Sequence, residues 1–312
     1  MKDICVVGVG AANVDVHGRS KNPIVMRDSN PGHLHTSAGG VTRNVLENLS
    51  RQGISTRLIS AMGDDVYGDK IRADSVAAGI DVSRSLTVRG GTSSCYIAVL
   101  DERGDMLIGM SDMSILGSLT EEYLDENSDV ILPAAAVVCD PCLPIPIAHH
   151  VAQMAKGRAA VFLDPVSTAY ARAVEPIIGD FFCVKPNRME LGVLSGMETD
   201  TDVGVRAGAE ELLRRGVRQV CVSLGEKGCY YADDTGIAVF RSLRPLPLME
   251  NATGAGDALM SGLIHGYIEG MAPEERLDYA LACGIVSIMS PYTISREMSD
   301  GRVRAVMEEY AV

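Results

Sequence analysis

The chain has 312 residues, 46% of them hydrophobic, enough to bury a sizeable core in one large domain or two of ordinary size. Its formal net charge of −13 excludes a broad cationic face for nucleic acid or an anionic membrane, so any anionic ligand must be met locally. No apolar run reaches the length of a membrane span, and the first residues, "MKDICVVGVG", lack the pattern of a secretory leader, so the expected partner is a small molecule and the expected compartment the cytoplasm.

In chain order, "ICVVGVG" has the length and β-branched content of a buried strand, and "VTRNVLENLSRQG" has helical spacing ending on Gly53. A strand at "STRLISAMG", a helix at "DKIRADSVAAG", a strand at "AAAVVCD", a helix at "PIAHHVAQMAKG" and a strand at "AAVFLDP" follow. Apolar strands alternating with helices predict an α/β fold with a mainly parallel central sheet flanked by helices. Two segments break the alternation. "VDVHGRSKNPIVMRDSNPGHLHTSAGG" is too long and polar for an ordinary connection, and "SSCYIAVLDERGDMLIGM" reads as two β arms around a turn at Asp101 to Gly104. The expected division is a core of residues 1–14, 39–88 and 114–312 with a small β lid of residues 15–38 and 89–113. An exposed lid edge offers a pairing surface for a homodimer.

The eight cysteines, Cys5, Cys95, Cys139, Cys142, Cys183, Cys221, Cys229 and Cys283, are dispersed mostly within apolar segments, which suits reduced thiols. Cys139 and Cys142 have Cys-x-x-Cys spacing, but no second pair or nearby histidine completes a zinc site, so they read as structural. His33 and His35 in the lid segment, and His149 and His150 in a helix, read as surface or packing residues.

In an open α/β sheet, ligands bind beyond the carboxyl ends of the strands, so polar residues just after strand-like runs are candidates. These are Asn13 and Asp15, Asp164 in "FLDPVS", Lys185, Asn187 and Glu190 in "VKPNRMEL", and "SLGEKG" at 223–228. A further one is "NATGAGD" at 251–257, before the apolar helix "ALMSGLIHGYIEG". Gly254 and Gly256 let backbone approach a ligand, and the first helical amides form an anion site. Asp257 has two readings there, a first-turn acid complementing the helix dipole or a general base beside an oxyanion cradle. Asn187 and Glu190 likewise read as a helix cap or as groups orienting a hydrated metal. A P-loop is missing, and "GVGAAN" lacks the third glycine of a dinucleotide fingerprint, which weakens a dehydrogenase reading.

"NATGAGD" before a helix, together with "AGGVTRN" (38–44) followed by "LSRQG", resembles the two signatures of the ribokinase-like (PfkB-type) family of sugar and nucleoside kinases. "AMGDDVYGDKI", "VKPNRME" and "SLGEKG" fall in the same order, so the resemblance covers nearly the whole chain. It implies an ATP- and Mg²⁺-dependent phosphotransferase in which Asp257 takes the proton of a substrate hydroxyl and Gly254, Ala255 and Gly256 cradle the transferred phosphoryl group. The substrate, a sugar or nucleoside, would meet Asn13, Asp15, Gly39, Gly40 and Asn44, with Asn30, Ser94, Tyr96 and Met113 of the lid reading its base. ATP would lie near Lys185, Asn187, Ser223, Gly225, Gly228, Ala282, Cys283 and Val286, with Glu190 (through water) and Asp164 toward the metal. A non-catalytic binding protein on the same fold is disfavoured by the intact Gly-Ala-Gly-Asp segment. Asn251 and Ala252 replace the Asp-Thr that opens the family signature, removing a charge that helps hold a monovalent cation, so weak dependence on potassium is expected.

Overall fold

The computed structural model describes residues 5–241 and 249–310. The chain begins β1 (Cys5–Val9), β2 (Asn13–Ser20), β3 (Gly32–Gly39), α1 (Val41–Arg51), β4 (Ser55–Ile59), β5 (Ala61–Gly63) and α2 (Val66–Ala77). It continues through β6 (Ile80–Asp81), β7 (Leu86–Val88), β8 (Cys95–Leu100), β9 (Met106–Asp112), α3 (Glu121–Glu126) and α4 (Ser128–Ile131). An alternating stretch follows: β10 (Ala136–Cys139), α5 (Ile145–Ala155), β11 (Ala160–Leu163), α6 (Thr168–Val174), β12 (Cys183–Val184), α7 (Arg188–Ser195), α8 (Asp202–Arg214) and β13 (Gln219–Ser223). Last come β14 (Cys229–Asp233), β15 (Ala238–Arg241), α9 (Ala255–Ile268), α10 (Pro273–Ile288) and α11 (Asp300–Tyr310).

Nine strands form the central sheet in the order β15-β14-β13-β12-β11-β10-β1-β4-β6. Every pairing in it is parallel except β13 with β14 and β14 with β15. Because side chains alternate along a strand, each apolar run feeds two cores. Val6, Val138 and Phe162 pack under α1 and α9 against Leu46, Met260 and Ile264. Val7, Val137 and Leu163 pack on the opposite face with Val151, Leu191 and Leu212.

The strand predicted over "STRLISAMG" is two strands. Fully buried Ser60 donates its amide to Ser85 Oγ over 3.2 Å and accepts from the Leu86 amide over 2.8 Å, which turns the chain out of the central sheet to pair β5 with β7. The helix predicted from Asp69 starts earlier, because the Asp65 side chain caps it by accepting from the Gly68 amide over 2.7 Å. Of the first predicted strand, Ile4 lies outside the described residues.

A separate sheet of order β3-β2-β8-β9 occupies the two irregular segments. Its register places Asp15, Ser37 and Tyr96 on one face and Val16, Ile97 and Met110 on the other. On that second face Ile97, Ile108 and Met110 are exposed, as is Leu34.

Candidate active site

Adjacent parallel strands deliver their next residues to one edge. Gly10, Asp140, Asp164 and Lys185 follow the strand ends of β1, β10, β11 and β12 directly. The amino end of α9 faces this edge. Gly254 holds φ 85, and a Cβ there would drive into the Thr293 carbonyl, so only glycine lets the turn close onto that loop. Lys185 Nζ lies 3.4 Å from where a Cβ on Gly256 would stand, directly over the first amides of the helix.

Asp257, 9% exposed, accepts from Asn44 Nδ2 over 2.8 Å. Burial, aided by the nearby Asp164 carboxylate, raises its pKa to about 7, against the opposing pull of Asn44 and Lys185. A carboxyl group at a helix amino terminus with a pKa in that range is poised for proton transfer near neutral pH, which a dipole-complementing surface acid is not. Asn44 Oδ1 is buried without a protein partner. Asn13 Nδ2 donates to Asp15 Oδ1 over 2.7 Å, and burial raises the Asp15 pKa. A side chain at Gly39 would collide with that carboxylate, and one at Gly40 with the backbone of Ala11 and Ala12. Asn13, Asp15, Gly39, Gly40, Asn44 and Asp257 are thus brought together.

Lys185, 4% exposed, lies 3.0 Å from Asp164 Oδ2. Burial opposes its charge, yet the carboxylates of Asp164, Glu190 and Asp257 together raise its pKa, so it stays an ammonium. Asp164, expected toward the metal, is the ion-pair partner of this lysine. Its other oxygen accepts from the amide of Val166, a β-branched residue held at φ 67, so the loop is fixed in a conformation such residues avoid.

Asn187 and Glu190 form a complete capping box on α7: Asn187 Oδ1 accepts from the Glu190 amide over 2.9 Å and Glu190 Oε2 from the Asn187 amide over 2.8 Å. The cap holds the Glu190 carboxylate toward Lys185, and burial raises its pKa. Ser223 bridges to Asn187, its amide donating to the Pro186 carbonyl over 2.9 Å. Gly225 and Gly228, both at positive φ, turn the chain tightly after it.

Ala282, Cys283, Val286 and Asn30 lie elsewhere, whereas Ser94 and Tyr96 stand beside Asp15, the Ser94 carbonyl accepting from the Val14 amide over 3.0 Å and Tyr96 pairing with Asp15 across β2 and β8. Ala282, Cys283 and Val286 are at most 3% exposed and sealed in the packing of α9, α10 and α11, where Cys283 Sγ faces Gly262 and Gln52, so they offer no open surface to an adenine ring. Their small size serves close helix contact. Asn30 sits at the far end of the β2–β3 hairpin, where Ser20 pairs with Gly32 and eight paired positions separate it from the Asn13–Gly39 end. Its amide is spent on Val25 and Asp28 of its own loop. Met113 lines a cavity with Cys142 and Tyr170. Tyr96 is on the face of Asp15, but its hydroxyl points along the sheet toward Met106 Sδ at 3.3 Å. Ser94 is buried with an unpartnered Oγ. Burial and Asp140 push the Cys142 thiol up, and burial does the same for Cys139, which suits inert thiols.

Asp140 was not among the expected residues. Fully buried, its Oδ2 accepts from the Ala11 amide (2.9 Å), the Thr42 amide (3.2 Å) and Thr42 Oγ1 (2.6 Å), and its Oδ1 from the Cys142 amide (3.0 Å). It fixes the segment leading to Asn13 and the first turn of α1 that carries Asn44. The available signal was an acid directly after "AAAVVC", the place Asp164 takes after the next strand.

The chain matches the model of the pfkB family of carbohydrate kinases over residues 1–299. It is 32% identical over 307 residues to the pseudouridine kinase of Escherichia coli strain K12, covering 98% of this chain and 97% of that protein. A putative sugar kinase from Clostridium perfringens, 32% identical, superposes with a TM-score of 0.86 over 99% of this chain and 97% of that one. The Arabidopsis thaliana ribokinase solved with ribose and ATP, 21% identical, superposes with the same score over 99% of both chains, so the fold is ribokinase-like. With both signatures placed at one strand edge and residues 1–299 aligned, this protein belongs to the pfkB family of carbohydrate kinases.

Proposed function

We propose that the protein is an ATP-dependent kinase that phosphorylates the 5′-hydroxyl of pseudouridine. The observation that carries the chemistry is buried Asp257, with its pKa of about 7, at the glycine-built start of α9 beneath Lys185. The likeness to a pseudouridine kinase along nearly the full chain supports the substrate, as do the shared blocks "AANVDV", "DSNPG", "AGGVTRNVLENL" and "SPYT".

In this reading Asp15 and Asn44 hold the ribose hydroxyls, the unpartnered Asn44 Oδ1 accepting one of them. Asp257 takes the proton of the 5′-hydroxyl as its oxygen bonds to the γ-phosphorus and the bond to ADP breaks. The amides of Ala255, Gly256 and Asp257 and the ammonium of Lys185 face the charge on the phosphoryl oxygens. Asp164, Glu190 and Asp257 surround one lysine, and this excess of carboxylates fits a divalent cation. Glu190, acting through water, and Asn187 would hold Mg²⁺, which neutralises phosphate charge when bound. Ser223, Gly225 and Gly228 would border the nucleotide. Asn251 leaves little charge for a monovalent cation, so dependence on K⁺ is weak.

A second copy of the chain is the proposed occupant of the exposed apolar face formed by Leu34, Ile97, Ile108 and Met110, giving a dimer through the lid that sedimentation would detect. Eight free thiols support a reducing, cytoplasmic setting.

The substrate test is kcat/KM for pseudouridine, uridine, adenosine and ribose on one preparation. Uridine lacks the free N1–H of pseudouridine, and leaving one polar partner unpaired costs about 1–3 kcal/mol, so pseudouridine should lead by roughly tenfold to a hundredfold. Equal or faster turnover of ribose or uridine rejects the substrate and keeps the kinase.

A further inference from the structure

Between the edge strand β3, helices α1 and α2 and the loop 291–296 lies a cavity of about 520 Å³. That volume falls in the range of about 300–1,000 Å³ typical of small-molecule sites. Neither Asp257 nor Asp15 lines it.

Its charges do not balance. Arg43 and Arg51 converge on the single carboxylate of Glu47, at 2.8 Å and 2.7 Å. Lys70 is matched by Asp74 at 2.9 Å. The first group therefore carries one positive charge in excess. Arg296 adds a second, since no carboxylate lies within ion-pair distance of it among the described residues, and its guanidinium rests 4.4 Å from the centre of the Tyr292 ring. His17 and His35, directly paired across β2 and β3, line the same wall. Arg43 is 2% exposed, and its Nη1 has no hydrogen-bond partner. Arg43 is buried with only a shared carboxylate as its ion-pair partner, Arg296 is exposed at the rim, and both stand in a chain whose net charge is −13. Asn251 also lines the cavity, at the position where the family signature carries an acid, so no carboxylate from that turn offsets the excess.

We propose that this cavity binds a small dianion, a phosphomonoester or a dicarboxylate, at a site separate from Asp257. Two excess charges match two negative charges, and the planar guanidiniums of Arg43 and Arg296 suit phosphate or carboxylate oxygens. The ligand lies behind the catalytic turn. Asn251 Oδ1 accepts from the Thr253 amide over 2.9 Å, and Thr293, another wall residue, presents its carbonyl to Gly254. Occupancy therefore braces the loop that aims the first amides of α9.

Titration calorimetry on the full chain without ATP tests this independently of turnover, using ribose 5-phosphate in one arm and succinate in the other, in buffered sodium chloride. At least one should bind with a Kd below about 1 mM, and the stronger arm identifies the class. Arg296→Gln and Arg43→Gln should each weaken binding by about tenfold, the loss of one charge-assisted contact. In the second variant Arg51 still pairs with Glu47, and if it folds poorly Arg296→Gln decides alone. Arg214→Gln on the exposed face of α8 changes net charge equally and should leave Kd unchanged. Absence of binding up to roughly 10 mM overturns the proposal. So does an equal loss in Arg214→Gln, or displacement of the dianion by pseudouridine alone.

Discussion

Two charge clusters in this protein are unbalanced in opposite directions. At the strand edge, Asp164, Glu190 and Asp257 surround one lysine; behind the turn that opens α9, two arginines share one glutamate with Arg296 nearby. The ion pair of Arg57 with Asp81, at 2.7 Å, is by contrast matched one to one. A matched pair needs no ligand. An unmatched cluster raises or strands its groups until an oppositely charged ligand arrives, and the rise of Asp257 to about 7 is the clearest case.

The largest expected effect comes from removing the proposed proton acceptor. Asp257→Asn keeps side-chain size and should lower kcat by about 10²- to 10⁴-fold while ATP still binds. Retention of more than half the wild-type kcat would return Asp257 to a dipole-complementing acid. Next, Asp164→Asn removes a carboxylate that raises Asp257 and frees Lys185 to act on it more strongly. Both changes favour the carboxylate form. A base works deprotonated, so the wild-type rate should climb with pH through about 7, and in the variant that rise should move to lower pH. An unmoved rise would break the electrostatic coupling of the two residues.

A smaller effect tests the clamp. Thr42→Val deletes one bond to Asp140 and keeps the backbone contacts, and if Asp140 acts by positioning Asn44, kcat/KM for the acceptor should fall a few-fold, about 1 kcal/mol, with KM for ATP unchanged. In an Asn44→Ala background the same change should cost almost nothing, whereas additive losses would make the clamp merely structural. Least of all, Arg57→Gln breaks a half-exposed matched pair and should shift stability by no more than about 1 kcal/mol in thermal unfolding, with turnover unaltered.

Much of the fold was legible because buried parallel strands are continuous apolar runs and their helices have 3.6-residue spacing, which is why β1, α1, β10, α5 and β11 fall where the pattern puts them. The split at Ser60 was not, since it depends on Ser85 and Leu86, some 25 positions onward. In the site, Asp15, Lys185 and Asp257 could be read because each follows a strand-like run or opens a helix, whereas Asn44 came from the resemblance of "AGGVTRN" to the family signature. Asp140 was missed because nothing local separates an acid that takes three bonds from other segments from an acid in a turn.

The sequence by itself determined the α/β class, the glycine-built start of α9 and the residue types that can move a proton or face a phosphate, because these depend on local backbone geometry and short spacing. Tertiary structure alone decided which of them meet. It paired Asp164 with Lys185 and Asn44 with Asp257, sealed Ala282, Cys283 and Val286 between helices, and carried Asn30 to the far end of a hairpin. The physical reason is that burial and charge balance are properties of the assembled neighbourhood: Asp257 and Arg43 are 213 and 253 positions from Asn44 and Arg296, and only the folded chain brings each pair to a common site.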